Sequence, residues 1–160
     1  IGRERGLDVI RADATRLPLS RHSLELVVAY DVLEHIPDHD AAVREVRRVL
    51  RPEATFLIAG PCDPNLWSAH DVAVDHVRRY TKATISDLLV RNGFQITDLW
   101  SWNVLLRPTV KLRRRSSTCS DLEELPGIVN AGLRAIVTME RYLPVKRLPG
   151  VTLMVRATPA

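Results

Sequence analysis

The chain has 160 residues, 46% of them hydrophobic and 26% charged, the balance of one soluble globular domain with enough apolar material for a core. A net charge of +4 and a pI near 9.5 fall short of the dense Lys/Arg loading of a dedicated nucleic-acid binder, so no nucleic-acid partner is expected. The two cysteines, Cys62 and Cys119, form no C-x-x-C pair, which excludes a zinc or dithiol redox motif and fits a cytoplasmic protein; no apolar run reaches the roughly 18–20 residues of a membrane span.

In chain order, Ile1 to Gly6 carries neither Met nor a helix cap, and we read it as a truncated start inside a helix. Leu7–Ala12, Leu24–Tyr30 and Thr55–Ala59 are apolar or β-branched; the second and third run unbroken, as parallel strands buried on both faces do. Between them, Asp38 to Leu50 places Ala42, Val43, Val46, Val49 and Leu50 on one helical face, with acidic caps at its start and Pro52 beyond its end. A strand–helix–strand unit predicts a right-handed crossover and an α/β, Rossmann-like, doubly wound sheet.

Farther on, Thr81 is placed to cap a helix carrying Ile85, Leu88 and Leu89, Gly93 suits its left-handed end, and Phe94–Trp102 returns to strand character. An amphipathic stretch follows (Val104, Leu105, Leu106, Val110, Leu112), then Arg113–Ser117 as an expected mobile loop, then a helix from Gly127 to Leu143. The Pro149-Gly150 turn leads into Val151–Val155, expected as the last strand, inserted antiparallel in a mostly parallel sheet. One domain over 1–160 results, with a core at 7–102 and 150–158 and a helical insertion at about 103–148.

Ligands of open α/β sheets bind beyond the C-terminal strand ends, where this chain reads Asp13-Ala14-Thr15-Arg16-Leu17-Pro18 after the first segment and Tyr30-Asp31-Val32-Leu33-Glu34-His35-Ile36 after the second. With Arg47–Pro52, these corners resemble the class I SAM-dependent methyltransferases of the subgroup with D-A-x-x-L-P and V-L-E-H-I corners, over roughly 7–102. The resemblance implies S-adenosyl-L-methionine (SAM) as cofactor: Asp13 would accept from the adenine amino group and the Ala14 N–H would meet a ring nitrogen. Tyr30 and Asp31 would lie beside the methionine and ribose, with Val32 and His35 lining the pocket. The plainer readings are an Asx-turn for Asp13 and packing for Tyr30 and His35.

Ser23-Leu24-Glu25 stands where the family has an aromatic and Asp, and Glu53-Ala54 replaces a Gly-Gly turn. The family's G-x-G-x-G cofactor loop cannot be supplied, because no two of the seven glycines lie two residues apart. By the family's sheet order, 3-2-1-4-5-7-6, the first two strands would lie upstream of Ile1. Leu7–Ala12 would then dock on Leu24–Tyr30, stay loose, or be completed by another chain through an exposed sheet edge. The chain alone would bind SAM weakly or not at all.

His70-Asp71 with His76-Val77-Arg78-Arg79-Tyr80 resembles the subgroup's H-D-x-x-x-x-H-x-R-R-Y pattern over the acceptor pocket, which makes His70, His76 and Tyr80 candidate substrate residues for a small-molecule methyl acceptor. The plainer reading is a solvated helix face, Asp71 and Asp75 paired with Arg78 and Arg79. No catalytic base is assigned, and methyl transfer needs none unless the acceptor loses a proton. Two rival readings are a metal-dependent hydrolase using His35, His39, Asp40, His70, Asp71 and His76, although no short metal motif assigns a metal site, and a non-catalytic interaction module. Arg107, Lys111, Arg113, Arg114 and Arg115 beside Leu105, Leu106, Val110 and Leu112 suggest a peripheral membrane contact or a solvated helix end, and the insertion a lid over the acceptor.

Overall fold

The computed structural model describes residues 5–116 and 127–160. Its framework is a four-stranded sheet of β1 (Leu24–Tyr30), β2 (Leu50–Pro61), β3 (Phe94–Trp102) and β4 (Thr152–Pro159) in the order β1-β2-β4-β3. β1 pairs parallel with β2, and β4 runs antiparallel to both β2 and β3. Three strands therefore point one way and the last strand is inserted against them, as the sequence predicts. The order equals the 4-5-7-6 half of the family's sheet.

The crossover between β1 and β2 is α1 (His39–Val49). Asp38 starts it by accepting the Ala41 N–H at 2.8 Å, which satisfies one of the donors a helix start leaves free. Ala42, Val43, Val46 and Val49 are its buried residues. Leu50 ends the helix and opens β2 in the same step, so the strand begins five residues earlier than Thr55. Its register against β1 jumps between Leu24↔Leu50 and Leu26↔Thr55, and this bulge lifts Pro52 and Glu53 into solvent, where a missing ladder N–H does no harm. An Arg51–Glu25 ion pair ties the bulge to β1.

α3 (Lys82–Arg91) begins at Thr81, whose hydroxyl accepts the Thr84 N–H at 3.1 Å. Gly93 beyond its end adopts a φ of +78°, the left-handed turn that a side chain would strain. Ile85, Leu88 and Leu89 pack with Phe56, Phe94, Leu153 and Val155 in the core, and the Phe56 and Phe94 rings lie 5.4 Å apart. Between β3 and β4 come α4 (Arg107–Ser116) and α5 (Gly127–Glu140).

Four expectations are corrected. Leu7–Ala12 forms no strand; Leu7 and Ile10 are exposed, since a lone extended segment gains too little from burial to offset its ordering entropy. Beyond this segment Ala14 packs on the core and the Leu17 N–H donates to Glu45 Oε2 at 2.8 Å. Arg113–Ser116 are the last turn of α4, not a loop; Ser117 and Cys119 lie outside the described residues. α5 stops at Glu140, three residues short of Leu143, and β4 continues past Val155 to Pro159. Among the described residues no helix is long and apolar enough to cross a membrane.

Candidate active site

The C-terminal ends of β1 and β2 open side by side. β1 stops because Asp31 takes a positive φ of +51° and donates its N–H sideways to Ala59 O at 3.0 Å; a single 3₁₀ turn, Leu33–His35, follows. This turn splits the V-L-E-H-I corner in two. Tyr30, Val32 and His35 remain open to solvent, whereas Leu33 and Glu34 point into the protein and are buried. At the first corner Asp13 Oδ1 accepts from both the Thr15 N–H and the Thr15 hydroxyl at 2.8 Å, an Asx turn that holds its carboxyl below the usual range. One oxygen is spent on the turn; the side chain is otherwise exposed and ionised, suited to accepting an amino donor.

Beyond β2 the chain is pinned by buried charge. Ser68 and Asp71 form a capping box that starts the short α2 (Ala69–Ala73). Asp71 is fully buried and gathers donors from every side: Arg79 Nε at 2.8 Å, His76 Nδ1 at 2.8 Å and the Ser68 N–H at 3.0 Å. Arg79 also donates to Cys62 O at 3.0 Å. The solvated-face reading is thus corrected for this pair, which lies inside the protein; only Asp75 stays exposed. Arg78 turns the other way and donates to the carbonyls of Leu33, Ile36 and Pro37. Arg79 thus braces the segment beyond β2, and Arg78 ties that segment to the turn after β1.

His70, His76 and Tyr80 separate in the structure. The His70 and His76 rings lie 6.4 Å apart, and His76 meets His35 edge-on at 4.7 Å, so three imidazoles from two corners converge. Tyr80 is only 3% exposed and belongs to the core; its hydroxyl sits 2.8 Å from His39 Nδ1 and 3.3 Å from Leu33 O. Burial pushes its pKa up to about 12, so it is a neutral packing group at physiological pH. The six-residue ligand set of the hydrolase reading does not assemble: His39 is held by Tyr80, and Asp40 by Arg91 at 2.7 Å and Asn92 at 2.7 Å. Those bonds keep the Asp40 carboxyl well below its ordinary range.

Glu34 is the residue that sequence reasoning passed over. It is 0% exposed, neither carboxylate oxygen has a hydrogen-bond partner, and burial raises its pKa. His76 Nε2 lies 3.9 Å from its Oε1. A carboxylate inside an otherwise apolar corner was a signal available in the V-L-E-H-I stretch, since buried carboxyls demand partners.

A family model described as a methyltransferase domain matches residues 2–58. A probable SAM-dependent methyltransferase of Mycolicibacterium smegmatis is 32% identical over 94 residues, covering 58% of this chain and 37% of the relative. Among solved structures, a SAM-dependent methyltransferase from Thermotoga maritima, described as a possible histamine N-methyltransferase, superposes with a TM-score of 0.63 at 16% identity, covering 99% of this chain and 67% of that one. The [4+2]-cyclase SpnF gives 0.61 at 22%, covering 99% and 60%. The fold defines a Rossmann-like architecture. Residues 2–58 are thus similar in sequence to methyltransferase domains, and the described residues share the fold of solved SAM-dependent methyltransferases. The chain spans little more than a third of the length of the curated relative it matches.

Proposed function

We propose that the protein transfers a methyl group from SAM to a small-molecule acceptor, and that this chain supplies the adenine-facing corner, the methionine-facing corner and the acceptor side of the site. The observation that carries the reading is the Tyr30-Asp31 corner at the C-terminal end of β1, in a sheet of the family's strand order, with the Asp13-Ala14 motif preceding it in the sequence. The left-handed Asp31 brings backbone to the mouth of β1, which is where close approach to the methionine portion is needed. Val32 and His35 sit open beside it. SAM supplies an electrophilic methyl; the chain's part is to orient the acceptor and exclude water, which needs no catalytic base.

The residues present fit the cofactor in part. Asp13 and the Tyr30–Val32 corner suit its two ends, while the glycine loop that lets backbone meet the cofactor is not in this sequence. The chain by itself is therefore a weak or inactive SAM binder. Its bare β1 edge invites completion by a further segment or a second chain. A cytoplasmic setting accords with Cys62, which is a buried free thiol. A peripheral membrane contact through α4 is part of the same proposal: Arg107 is tied to Asp63, but Leu112 stands exposed on that helix.

SAM binding by calorimetry tests this, on the chain and on a form extended upstream through a glycine loop. Binding by the extended form alone supports both the activity and the division of labour. No binding by either overturns the enzyme reading in favour of an interaction module.

A further inference from the structure

We infer that Glu34, His35 and His76 form a binding site for one divalent transition-metal cation, at the end of β1, with Asp71 orienting His76 from behind. One ligand atom from each of the three residues lies within 4.8 Å of the others, and an ion bound there would draw them toward the about 3.3 Å between tetrahedral ligands about 2.0 Å from one ion.

The hydrogen-bond pattern assigns the free atoms. His76 Nδ1 lies 2.8 Å from Asp71 Oδ1, an oxygen that also accepts from Arg79 Nε at 2.8 Å. Its Nδ1 therefore carries the proton, which leaves Nε2 as a bare lone pair 3.9 Å from Glu34 Oε1. His35 Nδ1 faces the Asp75 carbonyl at 3.3 Å, which can only accept, so its Nε2 is bare as well. A carboxylate or carbonyl behind each imidazole is the outer arrangement that metal-binding histidines show, fixing the tautomer and strengthening the donor.

Glu34 gives the independent pointer. Both of its oxygens are buried without a hydrogen bond, a cost that native proteins avoid unless something charged or a proton completes the group. Two imidazoles and one carboxylate are a borderline donor set that favours zinc, iron(II) or cobalt(II) over magnesium or calcium. Three protein ligands leave at least one position open, the form of a reactive rather than a structural site. The inference stands apart from the methyl-transfer reading, because cation binding is measured with neither SAM nor acceptor present.

The test is a cobalt(II) titration of the chelator-stripped full-length protein, followed by visible absorption and by proton NMR. One equivalent bound, with ligand-field bands displaced by zinc and two exchangeable, paramagnetically shifted imidazole N–H signals, is the expected result. Glu34→Gln, which keeps the shape, should leave the metal-free melting temperature unchanged or higher and weaken cobalt binding by about 100-fold or more, beyond the roughly 10–100-fold that loss of an outer partner causes. No uptake by the unmodified protein overturns the site, as do fewer than two shifted N–H signals or binding retained in folded Glu34→Gln. The first of these would mean that a proton alone completes Glu34.

Discussion

β1 and β2 lie side by side and read alike in sequence, yet one is enclosed and the other half open. β2 is paired on both edges, and from Phe56 to Pro61 all but Leu57 is buried. Among the described residues β1 is paired on one edge only, and Leu26, Val28 and Tyr30, alternate residues on one face, are about half exposed, with Val28 at 48%. An unbroken apolar run is the mark of a strand covered on both sides. Where such a run stays bare, it records a cover that the described residues do not supply.

The largest test of this contrast is at its closed end. Phe56→Ala should cost about 3–5 kcal/mol in denaturant unfolding, because it deletes a fully enclosed ring against Phe94. Asp71→Ala should cost a similar about 3–5 kcal/mol, because it strands Arg79 inside the protein without its charge partner. At the open end, Val28→Ser should change the stability of this chain by less than about 0.5 kcal/mol. The same substitution in a form extended upstream should cost about 1–3 kcal/mol if that extension covers the face. Equal costs in the two forms would break the comparison.

The smallest effect lies far from both strands. Asp40→Asn should remove about 0.5–1 kcal/mol by weakening the link between α1 and the end of α3. Because the folded state lowers the Asp40 pKa, its contribution is present above the ordinary carboxylate range and fades as pH falls below that range. The unmodified and Asp40→Asn proteins should thus converge in melting temperature toward strongly acid pH.

Much of this fold was legible because local chemistry and burial agree in it. Asp38, Thr81 and Gly93 each perform the terminal role their residue type suggests, and Phe94–Trp102 forms a strand with those bounds. The start of β2 was not legible: propensity cannot show that Leu50 passes from helix to strand without a loop, since the bulge that permits it depends on β1. Leu7–Ala12 has strand composition and no strand, as pairing is a property of the neighbour. The site divided in the same way. The exposed residues Asp13, Tyr30 and Asp31 could be found as motif positions. The burial of Asp71, Arg79 and Glu34 could not, because it requires two corners separated by β2 to meet, and a charged residue in sequence is read by default as a solvated one.

The excursion between β3 and β4 leaves and returns at one place. Trp102 O accepts the Val151 N–H at 3.1 Å, the Ser101 N–H reaches Lys146 O at 2.9 Å, and a Cβ on Gly150 would collide with the Trp102 carbonyl. Its two ends are thereby clasped to each other, and the sheet carries none of the information that specifies what lies between them. Such a segment is a cassette: exchanged at Asn103 and Gly150, it changes length and composition while the strand order beneath stays intact.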